Sequence, residues 1–177
     1  YPFTLKGILY FPKMNNEMEL LEGQIKLYNN QVFVADNIKE VIPEYLFLLK
    51  GVIDCSDLPL NVSRSFLQND AYVEKVKNHI TKKVADKLTS LHKNKPEQYQ
   101  GYWDEISIFV KYGCMKDEKF FDKAKSALLF KTVKGEYLSL EQLKEKEKVV
   151  YTTDEKQQSQ YINMYENMGI DTIVLNT

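Results

Sequence analysis

The first third of the chain shows the alternation of apolar and polar residues that is typical of β-strands. Between residues 3 and 11, the apolar side chains that share one face are Phe3, Leu5, Leu9 and Phe11, which predicts a half-buried strand. Two shorter β runs follow at residues 25–28 and 32–34. They flank the polar triplet Asn29-Asn30-Gln31, and because asparagine tolerates a positive φ, a tight hairpin is predicted there.

Residues 38–50 carry apolar side chains at helical spacing, which predicts a helix. Pro43 fits the first turn of such a helix, where the N–H that proline lacks has no intrahelical acceptor. Gly51 is predicted to end the helix, and a short strand is predicted directly after it at residues 52–54.

A long amphipathic helix is predicted over residues 72–95. Its apolar positions recur at intervals of three or four residues and are Val73, Val76, Ile80, Val84, Leu88 and Leu91. Pro96 marks its end and opens a second helix, predicted over residues 97–112 with Gly113 as its stop. A third helix is predicted over residues 117–129.

The last quarter of the chain predicts a strand–helix–strand unit. Ser139 and Gln142 have the spacing of a capping box at the start of a short helix, residues 139–146. Further along, a helix at residues 155–167 separates two β runs, and Gly169 lies before the second of them; the runs are residues 149–153 and 170–175. A βαβ unit of this kind has parallel strands.

The order of these elements predicts an α/β fold in three parts. They are an α/β layer, a helical connector and, after Lys131, a small α/β lobe. The chain has 177 residues, of which 44% are hydrophobic and 28% charged, as is typical of a folded globular protein. Because the chain starts at Tyr1 without a methionine, it is expected to be a piece of a longer protein.

Charge and cysteine content narrow the function classes. Lys plus Arg number 24 against 25 Asp plus Glu, a net charge of −1, which argues against a dedicated nucleic-acid binder. Cys55 and Cys114 lie far apart without metal-ligand spacing, which favours a reducing compartment. The longest apolar stretch, residues 45–49, is far shorter than the roughly 20 residues that span a bilayer.

Common catalytic motifs are absent from the sequence. It has no G-x-G-x-x-G, Walker A, H-E-x-x-H or G-x-S-x-G pattern. His79 and His92 lie in one predicted helix at a spacing that does not suit a shared metal, so both are interpreted as solvated or partly buried helix residues. No metal site is predicted.

The predicted helix over residues 72–95 is rich in lysine. One interpretation is a stripe that contacts phosphates, and the other is the solvated face opposite the apolar stripe. The second is favoured, because no arginine or aromatic side chain lies between the lysines.

Arg64 departs from a local preference. If Ser63 caps the following helix, Arg64 lies in the first turn, where the helix dipole disfavours a cation by about 0.3–1 kcal/mol. Gln68 follows four residues later on the same face, behind a loop that Pro59 stiffens. A guanidinium, a neutral donor and free backbone N–H groups together suit an anion. The alternative is that Arg64 pairs with a carboxylate of its own domain, which could be Asp54, Asp57 or Glu44.

Residues 57–64, Asp-Leu-Pro-Leu-Asn-Val-Ser-Arg, closely resemble a signature of the ninety-kilodalton heat-shock protein family, the ATP-driven dimeric chaperones. Other stretches resemble that family's middle domain in the right order along the chain, at residues 5–12, 25–28, 32–34, 42–46, 149–153 and 169–175. Residues 102–103 and 111–114 are similar to the bacterial branch of the family.

The resemblance implies a more detailed architecture. It comprises an α-β-α sandwich portion, a helical connector and a small α-β-α lobe that contains the parallel βαβ unit. The implied divisions are the end of a large α/β middle segment with a catalytic loop, the connector and the lobe, at residues 1–70, 71–130 and 131–177.

The resemblance also implies a role for the loop. Arg64 is expected to reach the γ-phosphate of ATP when the dimer closes, and Asn61 and Gln68 are expected to assist. ATP and its Mg are expected in a separate N-terminal domain. The full-length protein is therefore expected to be an ATPase, whereas this fragment alone is expected to bind no cofactor and to be inactive.

The implied partners are unfolded or partly folded client proteins, the chain's own N-terminal ATPase domain and its C-terminal dimerisation domain. The full-length protein is expected to be a cytoplasmic homodimer that assists folding under stress, without a nucleic-acid or membrane partner. The alternative is a non-enzymatic module whose lysine-rich helix binds an acidic or nucleic-acid partner. A free-standing enzyme built on the terminal βαβ unit is disfavoured, since no glycine-rich loop follows residues 149–153.

Overall fold

A four-stranded sheet forms the first layer of the molecule. The computed structural model describes residues 4–12, 25–36, 41–46, 48–58 and 71–175. The strands of this sheet are β1 (Leu5–Tyr10), β2 (Ile25–Asn29), β3 (Val32–Asp36) and β4 (Lys50–Cys55), in the order β1-β4-β2-β3. β1 runs antiparallel to β4, whereas β2 runs parallel to it. The strands predicted in this region are therefore confirmed over the described residues.

The predicted hairpin is confirmed between β2 and β3. Asn30 and Gln31 form its two-residue turn with φ values of 50° and 65°. Two successive positive φ values match the right-handed twist of the flanking strands. The strands pair antiparallel, with Asn29 opposite Val32.

The predicted helix over residues 38–50 is wrong in its described part. Its only helical residues there form a short 3-10 helix, Glu44–Leu46, in which the Leu46 N–H donates to the Pro43 carbonyl at 2.9 Å. The surrounding apolar side chains are nearly all buried, namely Val41, Ile42, Tyr45, Leu46, Leu48 and Leu49. An amphipathic helix needs a solvated face, and this segment buries its apolar side chains in an irregular path instead.

Gly51 does not end a helix but lies inside β4. Its φ is +147°, and a Cβ at this position would clash with the Ile8 carbonyl of β1. The glycine therefore permits β1 and β4 to approach closely.

Three helices follow, and the long amphipathic one is confirmed. The helices are α1 (Ala71–Asn94), α2 (Pro96–Lys116) and α3 (Glu118–Ala124), and a 3-10 turn, Lys125–Ala127, extends α3. Pro96 opens α2 as predicted. Asp117 caps α3, because its side chain accepts from the Phe120 N–H at 3.0 Å.

Gly113 is not the stop that the sequence predicts, because α2 continues to Lys116. The glycine is buried, and an added Cβ would lie 2.8 Å from Cδ2 of Tyr45 and 2.9 Å from Cε1 of Phe120. Gly113 thus lets two aromatic rings pack against the helix backbone.

The C-terminal part contains two small sheets. Its elements are β5 (Leu129–Lys131), β6 (Tyr137–Ser139), α4 (Leu140–Lys144), β7 (Val150–Thr152), α5 (Ser159–Asn167) and β8 (Thr172–Val174). β7 and β8 pair parallel around α5, so the predicted strand–helix–strand unit is confirmed, as is the capping box of Ser139 and Gln142. The β5–β6 hairpin was not predicted, and the helix predicted to reach residue 129 ends in the 3-10 turn before it.

The hydrophobic core joins the sheet to the helices. Trp103, Tyr99 and Phe120 are its largest fully buried side chains. The same cluster includes Ile25 and Ile53 from the sheet and Val76 and Leu88 from α1. The fold is thus mixed α/β with small sheets. None of the helices in the described ranges is long and apolar enough to cross a membrane.

Candidate functional site

The predicted site residues Asn61, Arg64 and Gln68 lie outside the described residues, as do Pro59 and Ser63. The residues on both sides are described, however. Leu58 follows β4, and Ala71 is the first residue of α1. We call the described residues on either side, 54–58 and 71–72, the base of the predicted loop.

Asp57 connects three elements at this base. Its Oδ2 accepts hydrogen bonds from the Thr4 N–H at 2.9 Å, from the Thr4 hydroxyl and from the Tyr72 hydroxyl at 3.1 Å. Thr4 directly precedes β1, Asp57 follows β4, and Tyr72 lies in the first turn of α1. We call these three residues the Asp57 junction.

The protonation states at the junction support these hydrogen bonds. The Thr4 hydroxyl and N–H, followed by the Tyr72 hydroxyl, hold the pKa of Asp57 below its usual value. Burial and the bond to the Asp57 carboxylate raise the pKa of Tyr72 above its usual range. At neutral pH Asp57 is therefore a charged acceptor and Tyr72 a neutral donor.

Asn29, the last residue of β2, binds the backbone that follows β4. Its side-chain amide donates to the Leu58 carbonyl at 3.2 Å. Leu58 is only 5% exposed, and Cys55, three residues before it, is fully buried. Burial raises the pKa of the Cys55 thiol, so Cys55 is a packed neutral side chain rather than a nucleophile.

Asp54 adds a second carboxylate near the same end of β4. Its Oδ2 accepts from the Gln31 N–H at 3.1 Å, and its Oδ1 is buried without a hydrogen-bond partner among the described residues. Asp54 and Asp57 make this base acidic, and carboxylates repel the phosphates of a nucleotide. Whether Arg64 pairs with Asp54 or Asp57 is not tested, because Arg64 lies outside the described ranges.

A groove of about 880 Å³ lies between β1 and helices α1 and α2. Its apolar lining includes Leu5, Leu9, Val84, Leu91 and Ile106. Val84 and Leu91, two apolar positions of the predicted amphipathic helix, are only half-buried and line this groove. Lysine side chains border it, namely Lys6, Lys83 and Lys87. The groove thus offers apolar contact with a largely cationic border.

The two histidines do not form a metal site. The His92 ring packs edge-on against Tyr99 with centroids 5.4 Å apart, and its Nδ1 is buried without a hydrogen-bond partner in the described part of the chain. His79 lines the groove. Within the described ranges, His, Cys, Asp and Glu form no group of three or more that could hold a metal ion.

Sequence reasoning did not find the junction. Asp57 was considered as part of the family signature and as a carboxylate partner for Arg64, and no contact with Thr4 or Tyr72 was predicted. Thr4 is 53 residues from Asp57 along the chain. The register that places Leu5 opposite Cys55 brings them together, and no local motif encodes that register.

Comparisons with known proteins identify relatives along the whole chain. The chaperone protein HtpG of Porphyromonas gingivalis is 42% identical over 187 aligned residues, which cover 99% of this chain and 27% of the relative. The chaperone protein htpG of Bacteroides fragilis strain YCH46 is 39% identical, with 99% and 28% covered. HtpG of Desulfitobacterium hafniense is 30% identical, with 97% and 30% covered.

The chain thus spans between about a quarter and a third of the length of these relatives. A sequence model described as "Hsp90 protein" matches residues 2–176, which is nearly the entire chain. This match confirms the predicted resemblance to the ninety-kilodalton heat-shock proteins. The chain belongs to the Hsp90 protein family.

Proposed function

We propose that this chain is the middle segment of an ATP-dependent molecular chaperone of the bacterial HtpG type. The observation that carries the proposal is the family match over residues 2–176. Similar proteins that extend well beyond the matched region are named chaperones. The full-length protein binds unfolded or partly folded clients, assists their folding under stress and works as a cytoplasmic homodimer.

In this proposal the chain supplies Arg64 to ATP that a separate N-terminal domain holds. A guanidinium stabilises the charge that spreads over a transferred phosphoryl group, as an arginine finger does. Asn61 and Gln68 assist as neutral donors.

The choice of residue type supports the role of Arg64. The sequence contains 24 Lys plus Arg, and Arg64 is the only arginine among them. Lysine provides a point charge, whereas arginine presents a planar set of donors that matches phosphate oxygens in a bidentate way. A chain that uses lysine at every other cationic position and arginine at residue 64 is best explained by a need for that geometry.

The domain assignment belongs to the same proposal. Residues 1–70 form the end of a large α-β-α sandwich that carries the catalytic loop, residues 71–130 form the connector, and residues 131–177 form the small lobe. An N-terminal ATPase domain and a C-terminal dimerisation domain are the partners within the full-length protein. Alone, the chain neither binds ATP with Mg nor hydrolyses it.

The test is the ATPase rate of the full-length protein with Arg64→Ala and Arg64→Lys. We expect Arg64→Ala to lower kcat at least about tenfold with ATP binding intact, since arginine fingers contribute about 1,000-fold or more. Arg64→Lys keeps the charge but loses the bidentate geometry, so a substantial loss is expected there too. Lys82→Ala, an exposed cation on α1, is the control and should leave the rate unchanged.

Two results contradict the assigned role. One is an unchanged rate in Arg64→Ala while ATP still binds. The other is loss of ATP binding itself, which assigns Arg64 to the integrity of the nucleotide site instead of to the transferred phosphate.

A further inference from the structure

The β5–β6 hairpin lies between α2 and β8 and contacts both. Leu129, the first residue of β5, is buried in the core cluster to which α2 contributes. On the other side, Thr132 forms an antiparallel bridge with Ile173 of β8, and the Val133 N–H donates to the Thr172 carbonyl at 2.9 Å. The hairpin therefore connects the helices to the terminal βαβ unit, which consists of β7, α5 and β8.

One carboxylate of α2 binds both strands of the hairpin. The Oδ2 atom of Asp104 accepts from the Lys131 ammonium of β5 at 2.6 Å, and its Oδ1 atom accepts from the Tyr137 hydroxyl of β6 at 2.9 Å. The Lys131 Nζ also lies 5.6 Å from the centre of the Tyr137 ring. Each oxygen of the carboxylate thus has its own donor, and each donor comes from a different strand. We call these three residues the Asp104 clamp.

The protonation states of the clamp preserve these bonds at neutral pH. Partial burial opposes ionisation of Asp104, but the hydrogen bonds from Lys131 and Tyr137 outweigh it and hold the pKa of the carboxyl below its usual value. The bond to Asp104 raises the pKa of Lys131, and burial together with the same carboxylate raises the pKa of Tyr137. Asp104 is therefore a charged acceptor that binds one cation and one neutral hydroxyl.

A second contact joins β5 to the same side of α2. The Lys111 Nζ lies 5.4 Å from the centre of the Phe130 ring. Lys111 follows Asp104 by seven residues, which is close to two helical turns, so the two side chains share one face about 10 Å apart along the helix axis. Two contacts at that separation restrain the hairpin against rotation on α2 as well as against sliding.

The clamp contributes orientation more than stability. The side chains of Asp104 and Lys131 are 56% and 42% exposed, and exposed ion pairs add little to the free energy of unfolding. The hydrogen bonds of Asp104 span 27 and 33 residues, however, and they join separate elements. What is specific to this carboxylate is that it fixes how the hairpin sits on α2.

We propose that the Asp104 clamp fixes the terminal βαβ unit to α2 through the β5–β6 hairpin, so that the unit and the helix move as one rigid body. A displacement that a partner imposes on the βαβ unit then moves α2 with it. The proposed division between residues 130 and 131 marks no hinge, because it lies inside β5. The clamp does not involve Arg64, so this inference and the proposed function can fail separately.

The experiment measures the distance between two spin labels in the 177-residue chain by pulsed electron paramagnetic resonance. Gln98→Cys on α2 and Asn163→Cys on α5 supply the label sites, since both side chains are exposed. Cys114→Ser removes the half-buried native thiol, and Cys55 is fully buried and stays unlabelled. With the clamp intact, we expect one narrow distance distribution.

Two graded substitutions then open the clamp. Asp104→Ala removes both hydrogen bonds and should broaden the distribution about twofold or more, because a body that loses a restraint samples more orientations. Tyr137→Phe removes one bond, keeps the ring and should broaden it less. Circular dichroism in the same buffer should show the full helical signal in both variants.

Asp122→Ala is the matched control. Asp122 is also an exposed carboxylate that accepts from a lysine, Lys125 at 3.1 Å, but that lysine is only three residues away and joins no distant element. The width of the distribution should therefore stay unchanged in this variant.

Three results would overturn the inference. The first is an unchanged width in both Asp104→Ala and Tyr137→Phe, since the hairpin would then hold the βαβ unit without the clamp. The second is equal broadening in Asp122→Ala, which would make the effect general to surface ion pairs. The third is broadening only where the helical signal is also lost, which would reflect unfolding instead of release. Arg64→Ala should leave the width unchanged, and its ATPase rate bears on the proposed function alone.

Discussion

Gly113 and Gly101 lie in the same helix, α2, but in opposite surroundings. A Cβ on Gly113 would meet Tyr45 at 2.8 Å and Phe120 at 2.9 Å, whereas a Cβ on Gly101 would have no neighbour within 4 Å. We expect Gly113→Ala to destabilise the chain by about 1–3 kcal/mol through overpacking. Gly101→Ala, the matched control, should stabilise it by up to about 1 kcal/mol through helix propensity.

Urea unfolding followed by circular dichroism measures both changes in the free energy of unfolding. A stabilising Gly113→Ala would show that the two rings move aside at little cost. It would then follow that glycine is not needed for the packing of Tyr45 and Phe120 against α2.

The roles of two glycines, Gly51 and Gly113, differ from those predicted from the sequence. Glycine ends many helices, so Gly51 and Gly113 were both predicted as stops. In the structure each serves a close approach instead, of β1 to β4 and of two aromatic rings to α2. The sequence alone does not distinguish a glycine that ends a helix from one that permits close packing, because the residue packed against it is usually distant along the chain. Asp57 and Thr4 escaped prediction for the same reason.

At the scale of elements, local chemistry was the reliable guide. The capping box at Ser139 and the proline that opens α2 follow rules that act within one turn, and both were predicted. The predicted helix over residues 38–50 failed because its apolar side chains are buried by tertiary contacts around an irregular path. Propensity is a weak prior where a segment packs on all sides.

The β2–β3 hairpin permits an element-scale prediction. Gln31 holds a φ of 65°, a conformation that costs an L-residue about 1–2 kcal/mol and glycine almost nothing. Gln31→Gly creates the Asn-Gly turn that such hairpins favour and keeps the N–H that donates to Asp54. After subtracting about 0.5–1 kcal/mol for the greater freedom of glycine in the unfolded chain, we expect a net gain of about 0.5 kcal/mol.

The measurement is again the free energy of unfolding in urea. Gln31→Val is the opposing control, because a β-branched residue tolerates a positive φ least, and it should destabilise the hairpin. If the glycine variant is less stable than the valine variant, the turn does not have the backbone conformation that the structure shows.

At the scale of the molecule, the sequence predicted the family but not the long-range hydrogen bonds beside the signature. The signature at residues 57–64 pointed to the family, and the comparisons confirmed that family over residues 2–176. The hydrogen bonds of Asp57 with Thr4 and Tyr72 depend on strand register and on the start of α1. No local sequence motif predicts contacts between residues so far apart along the chain.

The last prediction concerns the isolated chain and separates the two function classes. We expect no measurable heat when Mg-ATP is titrated into it by calorimetry, because the proposed function assigns the nucleotide site to a separate N-terminal domain. In gel-shift titrations against a single-stranded RNA at two salt concentrations, we expect at most weak binding. The net charge of −1 gives the chain no general attraction to phosphate.

The alternative function, a module that binds nucleic acid through the lysine-rich helix α1, leads to the opposite prediction. Its lysines include the exposed Lys75, Lys82 and Lys93, and a phosphate-binding face built from them would give tight RNA binding that weakens steeply with salt. Substituting these three lysines by glutamine should then abolish the shift, while Arg64→Ala, which also removes one positive charge, should spare it. Tight, salt-sensitive binding that the lysine substitutions abolish and Arg64→Ala spares would establish α1 as a nucleic-acid surface. Weak binding that no substitution changes would identify these lysines as the solvated face of an amphipathic helix.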